Sequence, residues 1–425
     1  MTELFDDLAW RGLIHQETDA EGVRKHAAGG SRGVYCCFDP TANSLTIGNL
    51  VPLLLLRRFQ LGGHRPVVVT GGGTGLIGDP SGKEVERALR TPEEIAANVA
   101  GQRPIFERML EFSGPAAARI VDNAEWLGKL TFVEALRDVG KHFSINMMIQ
   151  KESVRRRLTE REQGISYTEF SYMLLQAYDF QYLHDAEGVT IQVAGSDQWG
   201  NIVAGIELTR KTRHVELFGL TAPLVTRADG GKFGKTEAGA VWLTADRTSA
   251  YAFHQFWLGT LDADIPRYLK IFTLLPRAEI ESLIAEHAAN PGARVAHRAL
   301  AAHVTELVHG REAREHAEAA ARALFSGDVA GLPLATLEEI FAAAPSSEHA
   351  RAGLVGEGLA LVDLLVEAEV AKSKREAREF LSSGAITLNG ERVDADAHMV
   401  EARLLHGRVA LVRRGKKTWH VLRFR

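Results

Sequence analysis

Val34-Tyr35-Cys36-Cys37-Phe38, Leu50-Val51-Pro52-Leu53-Leu54-Leu55-Leu56-Arg57-Arg58-Phe59 and Val67-Val68-Val69-Thr70 follow one another along the chain. The first and last are short apolar runs of strand length, and the last ends in Gly71-Gly72-Gly73. Between them Leu50, Leu54, Leu55 and Phe59 recur at helical spacing. Two neighbouring parallel strands need a crossover to join them, and a helix of this length provides it. Thr190-Ile191-Gln192-Val193-Ala194 reads as a third buried strand, so residues 1–225 predict a parallel α/β sheet. Ligands of such sheets bind at the carboxyl ends of the strands.

From Thr248 to about Phe325 the pattern is helical and Ala-rich. Gly331, Pro333, Pro345, Ser346 and Ser347 mark a looser stretch, read as a linker. Further on, Leu361 to Val366 is apolar, Ser373-Lys374-Arg375-Glu376 is a capping box opening a basic helix, and Asn389-Gly390 is a hairpin turn. The expected architecture is a Rossmann-like parallel-sheet domain over residues 1–247 with a mobile Lys232–Thr236 loop. An α-helical domain (248–330), a linker (331–357) and a small α+β domain (358–425) follow.

At 425 residues the chain exceeds one compact core, and 45% hydrophobic with 24% charged residues is the mix of a globular protein. The N-terminus, Met1-Thr2-Glu3-Leu4-Phe5-Asp6-Asp7, is acidic and lacks the features of a signal peptide. No apolar run approaches the roughly 18 residues of a membrane span. The only cysteines are the adjacent Cys36 and Cys37, so a disulfide framework is excluded and a reducing, cytoplasmic setting is expected. No Cys or His stands at metal-ligand spacing to them, and no metal site is expected. The net charge is −4, but residues 351–425 hold 14 Lys+Arg against 10 Asp+Glu, a balance of +4 that leaves −8 on residues 1–350. An acidic body with a basic tail fits an anionic partner at the C-terminal end.

Four stretches carry candidate chemistry. Pro52 fits only the first turn of its helix, so that helix starts near Gly48 and puts Thr46–Asn49 at an N-terminus that attracts phosphate. Gly73, Gly75 and Gly78 satisfy the dinucleotide pattern GxGxxG, but Asp79-Pro80 would interrupt the helix that a nicotinamide dehydrogenase needs there. Lys232-Phe233-Gly234-Lys235-Thr236 places two lysines on a glycine-hinged loop that could close over polyphosphate. Tyr172, Gln176 and Asp179 share one helix face.

In order and spacing, Tyr35–Pro40, Thr74–Ser81, Tyr167–Phe180, Gly195-Ser196-Asp197-Gln198-Trp199-Gly200-Asn201 and Lys232–Thr236 resemble the bacterial tyrosyl-tRNA synthetases, class I aminoacyl-tRNA synthetases, over essentially the whole chain. The resemblance implies activation of L-tyrosine by ATP with Mg2+ as co-substrate, transfer to tRNA(Tyr), and a homodimer. It implies that Tyr35 and Asp179 bond the phenol oxygen. Asp79, Tyr172 and Gln176 hold the ammonium group, with Gln192 and Gln198 also at the tyrosine site. Cys36, Asp39, Gly48 and Asp197 contact ATP, and Thr41, Thr46, Asn49, Lys83, Arg87, Lys232 and Lys235 serve the departing pyrophosphate. The C-terminal domain resembles an RNA-binding domain of ribosomal-protein type. Its Lys372, Lys374, Arg375, Arg378, Arg413, Arg414, Lys416 and Lys417 would meet tRNA phosphates. Lys151, Arg155, Arg156 and Arg157 form a second basic helix for the acceptor stem.

The family's first signature is usually His-x-Gly-His; here it is Thr46-Ile47-Gly48-Asn49. Asn49 keeps an N–H donor; Thr46 keeps one hydroxyl donor but cannot carry positive charge, so pyrophosphate-side stabilisation is expected to weaken, by up to ~3 kcal/mol were the histidine donor wholly lost. That departure leaves a second reading open, a catalytically weakened paralogue that binds tRNA or tyrosine.

Overall fold

The computed structural model describes residues 2–79, 89–151, 154–155, 158, 164–231, 233–236, 239–326, 329–342, 344–415 and 418–425. The chain divides into two compact units, residues 1–310 and 311–425.

The first unit is organised on a six-stranded sheet. Its strands are β1 (Gln16–Glu17), β2 (Gly33–Phe38), β3 (Arg65–Thr70), β4 (Arg119–Asp122), β5 (Val189–Gly195) and β6 (Phe218–Ala222). Their order is β1-β6-β5-β2-β3-β4, all parallel except β1, which pairs antiparallel with β6. The chain runs outward from β2 to β3 and β4, then returns to the other side of β2 to lay down β5 and β6. The direction reverses between β2 and β5, and a crevice opens at the carboxyl ends there.

The crossover helix, Leu50–Leu61, is buried almost all round, with Leu50, Leu54, Leu55 and Phe59 fully inaccessible. A short turn of helix, Ile47–Asn49, precedes it and Pro52 lies in its first turn, as the proline predicted. Arg58 is buried too. Its guanidinium donates to the carbonyls of Ile271 at 3.1 Å and Thr273 at 2.7 Å, and Arg11 donates to Thr273 and Leu275. These carbonyls end the helix Ile265–Phe272 and would otherwise be orphaned. The helices Ala250–Leu258, Ile265–Phe272, Arg277–Ala289 and Val295–His309 thus belong to the same compact unit as the sheet.

The second unit contains the helix Arg311–Ser326, which falls here and not with the preceding helices. Its five-stranded sheet runs Glu391–Arg392, Ile386–Leu388, Val409–Arg414, Thr418–Phe424, Ser346–His349. Asn389 and Gly390, both at positive φ, make the expected two-residue turn between the first pair. Ser373 caps the helix Lys374–Ser382 by accepting from the Glu376 N–H at 3.2 Å, while the Glu376 carboxylate reaches the Lys372 N–H. The reading of 331–357 as a linker is corrected. It holds a helix, Leu334–Ile340, and the strand Ser346–His349, which pairs in parallel with Thr418–Phe424. Its polar Ser-Ser-Glu-His sequence carries no strand pattern of its own. Among the described residues no helix is long and apolar enough to cross a membrane.

Candidate active site

A cavity of about 440 Å³ sits at the reversal point of the sheet. Its walls come from the end of β2 (Cys36, Cys37, Phe38, Asp39), the turn Thr46–Asn49, the end of β5 with Gly195, Asp197 and Gln198, and the helix Tyr167–Glu187 through Tyr172 and Gln176. Asp79 and Thr41 also line it. The sheet therefore gathers Cys36, Asp39, Thr41, Thr46, Gly48, Asn49, Asp79, Tyr172, Gln176, Asp197 and Gln198 around one space.

Deeper in lie Tyr35, Gln192 and Asp179, all essentially inaccessible. Tyr35 on β2 stands opposite Gln192 on β5. The Tyr35 hydroxyl, both polar atoms of Gln192 and the Gln176 Oε1 are buried without a hydrogen-bond partner. An unpaired buried polar group costs about 1–3 kcal/mol, and several of them together mark a place for a polar ligand. The Tyr35 ring is fixed edge-on against Phe180 at 5.0 Å, and burial beside Asp179 raises its pKa, so the phenol stays a donor.

Asp179 is held by donors that the sequence did not reveal. Trp126 Nε1 donates to its Oδ1 at 2.7 Å and Asn123 Nδ2 to its Oδ2 at 3.0 Å. Its carboxyl is raised to about 7, chiefly by burial and in smaller part by Asp39 and Asp122, with the two donors opposing the rise. Asn123 also donates to Thr74 Oγ1 at 3.0 Å, Thr74 donates to Asp39 at 3.0 Å, and the Tyr172 hydroxyl donates to Asp39 at 3.1 Å. One hydrogen-bonded chain thus joins Asp179 to Tyr172. Gln198 Nε2 donates to Asp79 at 2.7 Å and to Asp197 at 3.0 Å, and Asn201 steadies its oxygen. Cys36 and Cys37 are both raised by burial, so neither thiol is ionised at neutral pH.

The glycine run is not a phosphate cradle. The amides of Gly72 and Gly73 donate to Asp122 at 3.0 Å and Asn123 at 2.8 Å, and among the described residues up to Asp79 the run is followed by one short helical turn, Thr74–Leu76. With those amides already engaged the run does not serve as a dinucleotide-binding loop; Pro80, on which the helix-interruption argument rested, lies outside the described residues.

The two signature segments meet. Gly234 has φ +74°, and a Cβ there would come within 2.4 Å of Ile47 Cγ2, so only glycine lets the loop lie against the Thr46–Asn49 turn. Phe233 anchors the loop by stacking on Phe272 at 5.1 Å, and it lines the cavity. Within the turn, Thr46 Oγ1 donates to Asn49 Oδ1 at 2.9 Å and Thr46 N donates to the same oxygen at 3.0 Å. The hydroxyl donor expected of Thr46 is thus spent on Asn49 within the turn. The amide Nδ2 of Asn49 is the group left to serve a ligand.

Lys235 is exposed. Lys83, Arg87 and Lys232, together with Arg156, Arg157, Lys416 and Lys417, lie outside the described residues. Among the described lining residues there is no Lys or Arg. Lys151 departs from its expected role. Its ammonium donates to the Gly200 carbonyl at 2.5 Å, and burial lowers its pKa to about 8, so it is committed to the protein and not displayed to RNA. Arg155 is exposed. In the second unit Lys372, Lys374, Arg375 and Arg378 are exposed on or beside their helix, and Lys374 pairs with Asp363 at 2.8 Å. Arg414 lies over the Phe380 ring of that helix and donates to the Val370 carbonyl, whereas Arg413, on the opposite face of the strand, lies over Trp419. Sequence reasoning missed Thr74, Asn123, Trp126 and Phe233. Asn123 and Trp126 follow β4 at the N-cap and in the body of a one-turn helix, Ala124–Leu127, where nothing local marks them.

Residues 28–326 match the family model described as tRNA synthetases class I (W and Y), and residues 336–422 match the tyrosine–tRNA ligase SYY-like C-terminal domain. The tyrosine–tRNA ligase of Geobacillus kaustophilus (strain HTA426) is 51% identical over 425 residues, covering 99% of this chain and 100% of that protein. That of Staphylococcus carnosus (strain TM300) is 48% identical, over 100% of this chain and 99% of that protein. A C-terminally truncated mitochondrial tyrosyl-tRNA synthetase of Aspergillus nidulans superposes with a TM-score of 0.69 at 29% identity, covering 76% of this chain and 94% of that one. The chain belongs to the class I tRNA synthetases of the W and Y family and carries the tyrosine–tRNA ligase type of C-terminal domain.

Proposed function

We propose that the chain activates L-tyrosine with ATP to tyrosyl-adenylate and then transfers tyrosine to the terminal ribose of tRNA(Tyr). The observation that carries the reading is a buried polar cluster on the elements that wall the cavity: the Tyr35 hydroxyl and Gln192 are unpartnered, and Tyr35 lies beside the Asp179 carboxylate. A phenol there would accept from the Tyr35 hydroxyl and donate its own O–H to the Asp179 carboxylate, which completes the bonding of both sides. Nearer the mouth, Asp79, the Tyr172 oxygen and the Gln176 Oε1 form an acceptor-rich ring suited to an ammonium group.

A tyrosine so held points its carboxylate toward the Thr46–Asn49 turn, and ATP occupies the remaining space as its magnesium complex. The carboxylate oxygen attacks the α-phosphorus; the bond to the β-phosphate oxygen breaks, and pyrophosphate leaves with the electron pair. No side chain is covalently modified, so the protein contributes position and electrostatics. Asn49 Nδ2 serves the leaving group, and Lys235, Lys83, Arg87 and Lys232 are the cations that the family resemblance assigns to it. In the second step a ribose hydroxyl of tRNA attacks the acyl carbon and AMP departs. Lys374, Arg375, Arg378 and Arg413 supply the phosphate contacts.

The chain acts as a homodimer. In support, the segment 131–150 sets Phe132 (67% exposed), Val133 (70%), Leu136, Ile145, Met147 and Ile149 into solvent, a concentration of exposed apolar side chains of the kind that marks an interface.

Amino-acid-dependent ATP–pyrophosphate exchange, run in parallel with tyrosine and phenylalanine, tests the reading. Exchange with tyrosine alone is expected. No exchange with either, from folded protein that still binds tRNA, would overturn it in favour of the catalytically weakened paralogue.

A further inference from the structure

Away from the cavity, three residues converge in the helical part of the first unit. Asp262 opens the turn Asp262–Asp264, His287 lies near the end of the helix Arg277–Ala289, and His297 near the start of the helix Val295–His309. His297 is fully inaccessible, His287 nearly so, and their rings lie 5.3 Å apart. Both Nε2 atoms face the same carboxylate oxygen, Asp262 Oδ1, His297 at 3.2 Å and His287 at 3.9 Å. Each Nε2–H donates to a backbone carbonyl, His287 to Asp262 O at 3.1 Å and His297 to Thr260 O at 3.1 Å, so an ion bound there takes the place of both protons.

We propose that Asp262, His287 and His297 form a binding site for one divalent transition-metal cation, of which zinc fits the donor set best. Bonds of about 2.0–2.2 Å to nitrogen and oxygen in a tetrahedral shell put neighbouring ligand atoms about 3.3 Å apart. The spacings of 3.2 Å and 3.9 Å bracket that value, and the three side-chain ligand atoms lie within 4.8 Å of one another. Two imidazoles select zinc over magnesium or calcium, which take oxygen shells. Water or one of the two carbonyls fills the fourth position. Asp262 is exposed, so the ion has a path in from solvent.

The site ties a turn and two helix ends together, none of which lines the active-site cavity. A cation bound only by the folded state raises its thermal midpoint in proportion to occupancy. The experiment uses the full-length chain, stripped with chelator, then titrated with zinc chloride in equilibrium dialysis alongside Asp262→Asn and His287→Gln. Asp262→Asn alters an exposed side chain and keeps the fold. Expected are one more equivalent of zinc bound by the unaltered protein than by either variant, and a rise of several degrees in its midpoint that both variants lack. Tyrosine-dependent exchange should be the same for all three before zinc is added. Equal zinc stoichiometry and equal midpoints in the three proteins would overturn the proposal and leave a hydrogen-bonded histidine pair.

Discussion

Tyr35→Phe should move stability and binding in opposite directions. In the free protein the Tyr35 hydroxyl is inaccessible and has no partner, and the ring is held by Phe180 whether or not it carries oxygen. Removing an unsatisfied buried hydroxyl relieves a penalty of about 1–3 kcal/mol, reduced by the small void left behind. The free variant should therefore be as stable as the parent, or more stable by up to ~2 kcal/mol in urea denaturation. With tyrosine bound, that hydroxyl donates one neutral hydrogen bond of about 0.5–1.5 kcal/mol, so KM for tyrosine should rise about 2- to 13-fold. The reacting carboxylate is at the other end of the substrate, so kcat for adenylate formation should hold, the signature of lost uniform binding. Denaturation without and with tyrosine, together with pyrophosphate exchange, measures all three quantities. A free variant destabilised by more than about 1 kcal/mol with an unchanged KM would refute the reasoning, because the hydroxyl would then have a structural partner and no part in binding.

Asp179, with a folded-state pKa of about 7, gives two pH effects. Its value lies above the unfolded 3.8, so its contribution to stability is full below pH 3.8, falls as pH rises through about 7, and should be abolished in Asp179→Asn. Tyrosine needs the ionised carboxylate, so its KM should rise about tenfold from pH 8 to pH 6, followed by exchange assays at each pH. Asn49→Ala removes the donor left free in the Thr46–Asn49 turn and should lower kcat for activation about 10- to 150-fold, read by rapid-quench kinetics. Thr46→Ala, which loses only the bond that orients Asn49, should have a smaller effect; the reverse order would reassign the donor. Replacing Lys374, Arg375 and Arg378 together with alanine should weaken tRNA binding and reduce the salt slope of log K by about 2, leaving tyrosine-dependent exchange untouched.

Features written in neighbouring residues were legible without the structure. Strand β2, its crossover helix and β3 follow one another directly, so their apolar spacing identified a parallel sheet, and Pro52 located the helix start. The Asn389-Gly390 turn was equally local. Tyr172, Gln176 and Asp179 stood on one face because helical geometry puts them there, and all three are buried.

The rest depended on segments far apart in the chain. The strand Ser346–His349 exists because Thr418–Phe424 offers it a partner edge, and its polar residues alone read as a linker. Trp126 and Asn123 matter to Asp179 only after β4 is placed beside β3, and Lys151 looked like a free cation until the Gly200 carbonyl came within reach. No local spacing joins Asp262 to His287 and His297, so no ligand motif was visible. The sequence by itself determined the sheet, the signature segments and the residue types offered to tyrosine and ATP, because propensity and periodicity act over a few residues. Tertiary structure alone decided which polar groups are paired and which are left open for a ligand, because that depends on which distant atoms folding brings within about 3 Å of each other.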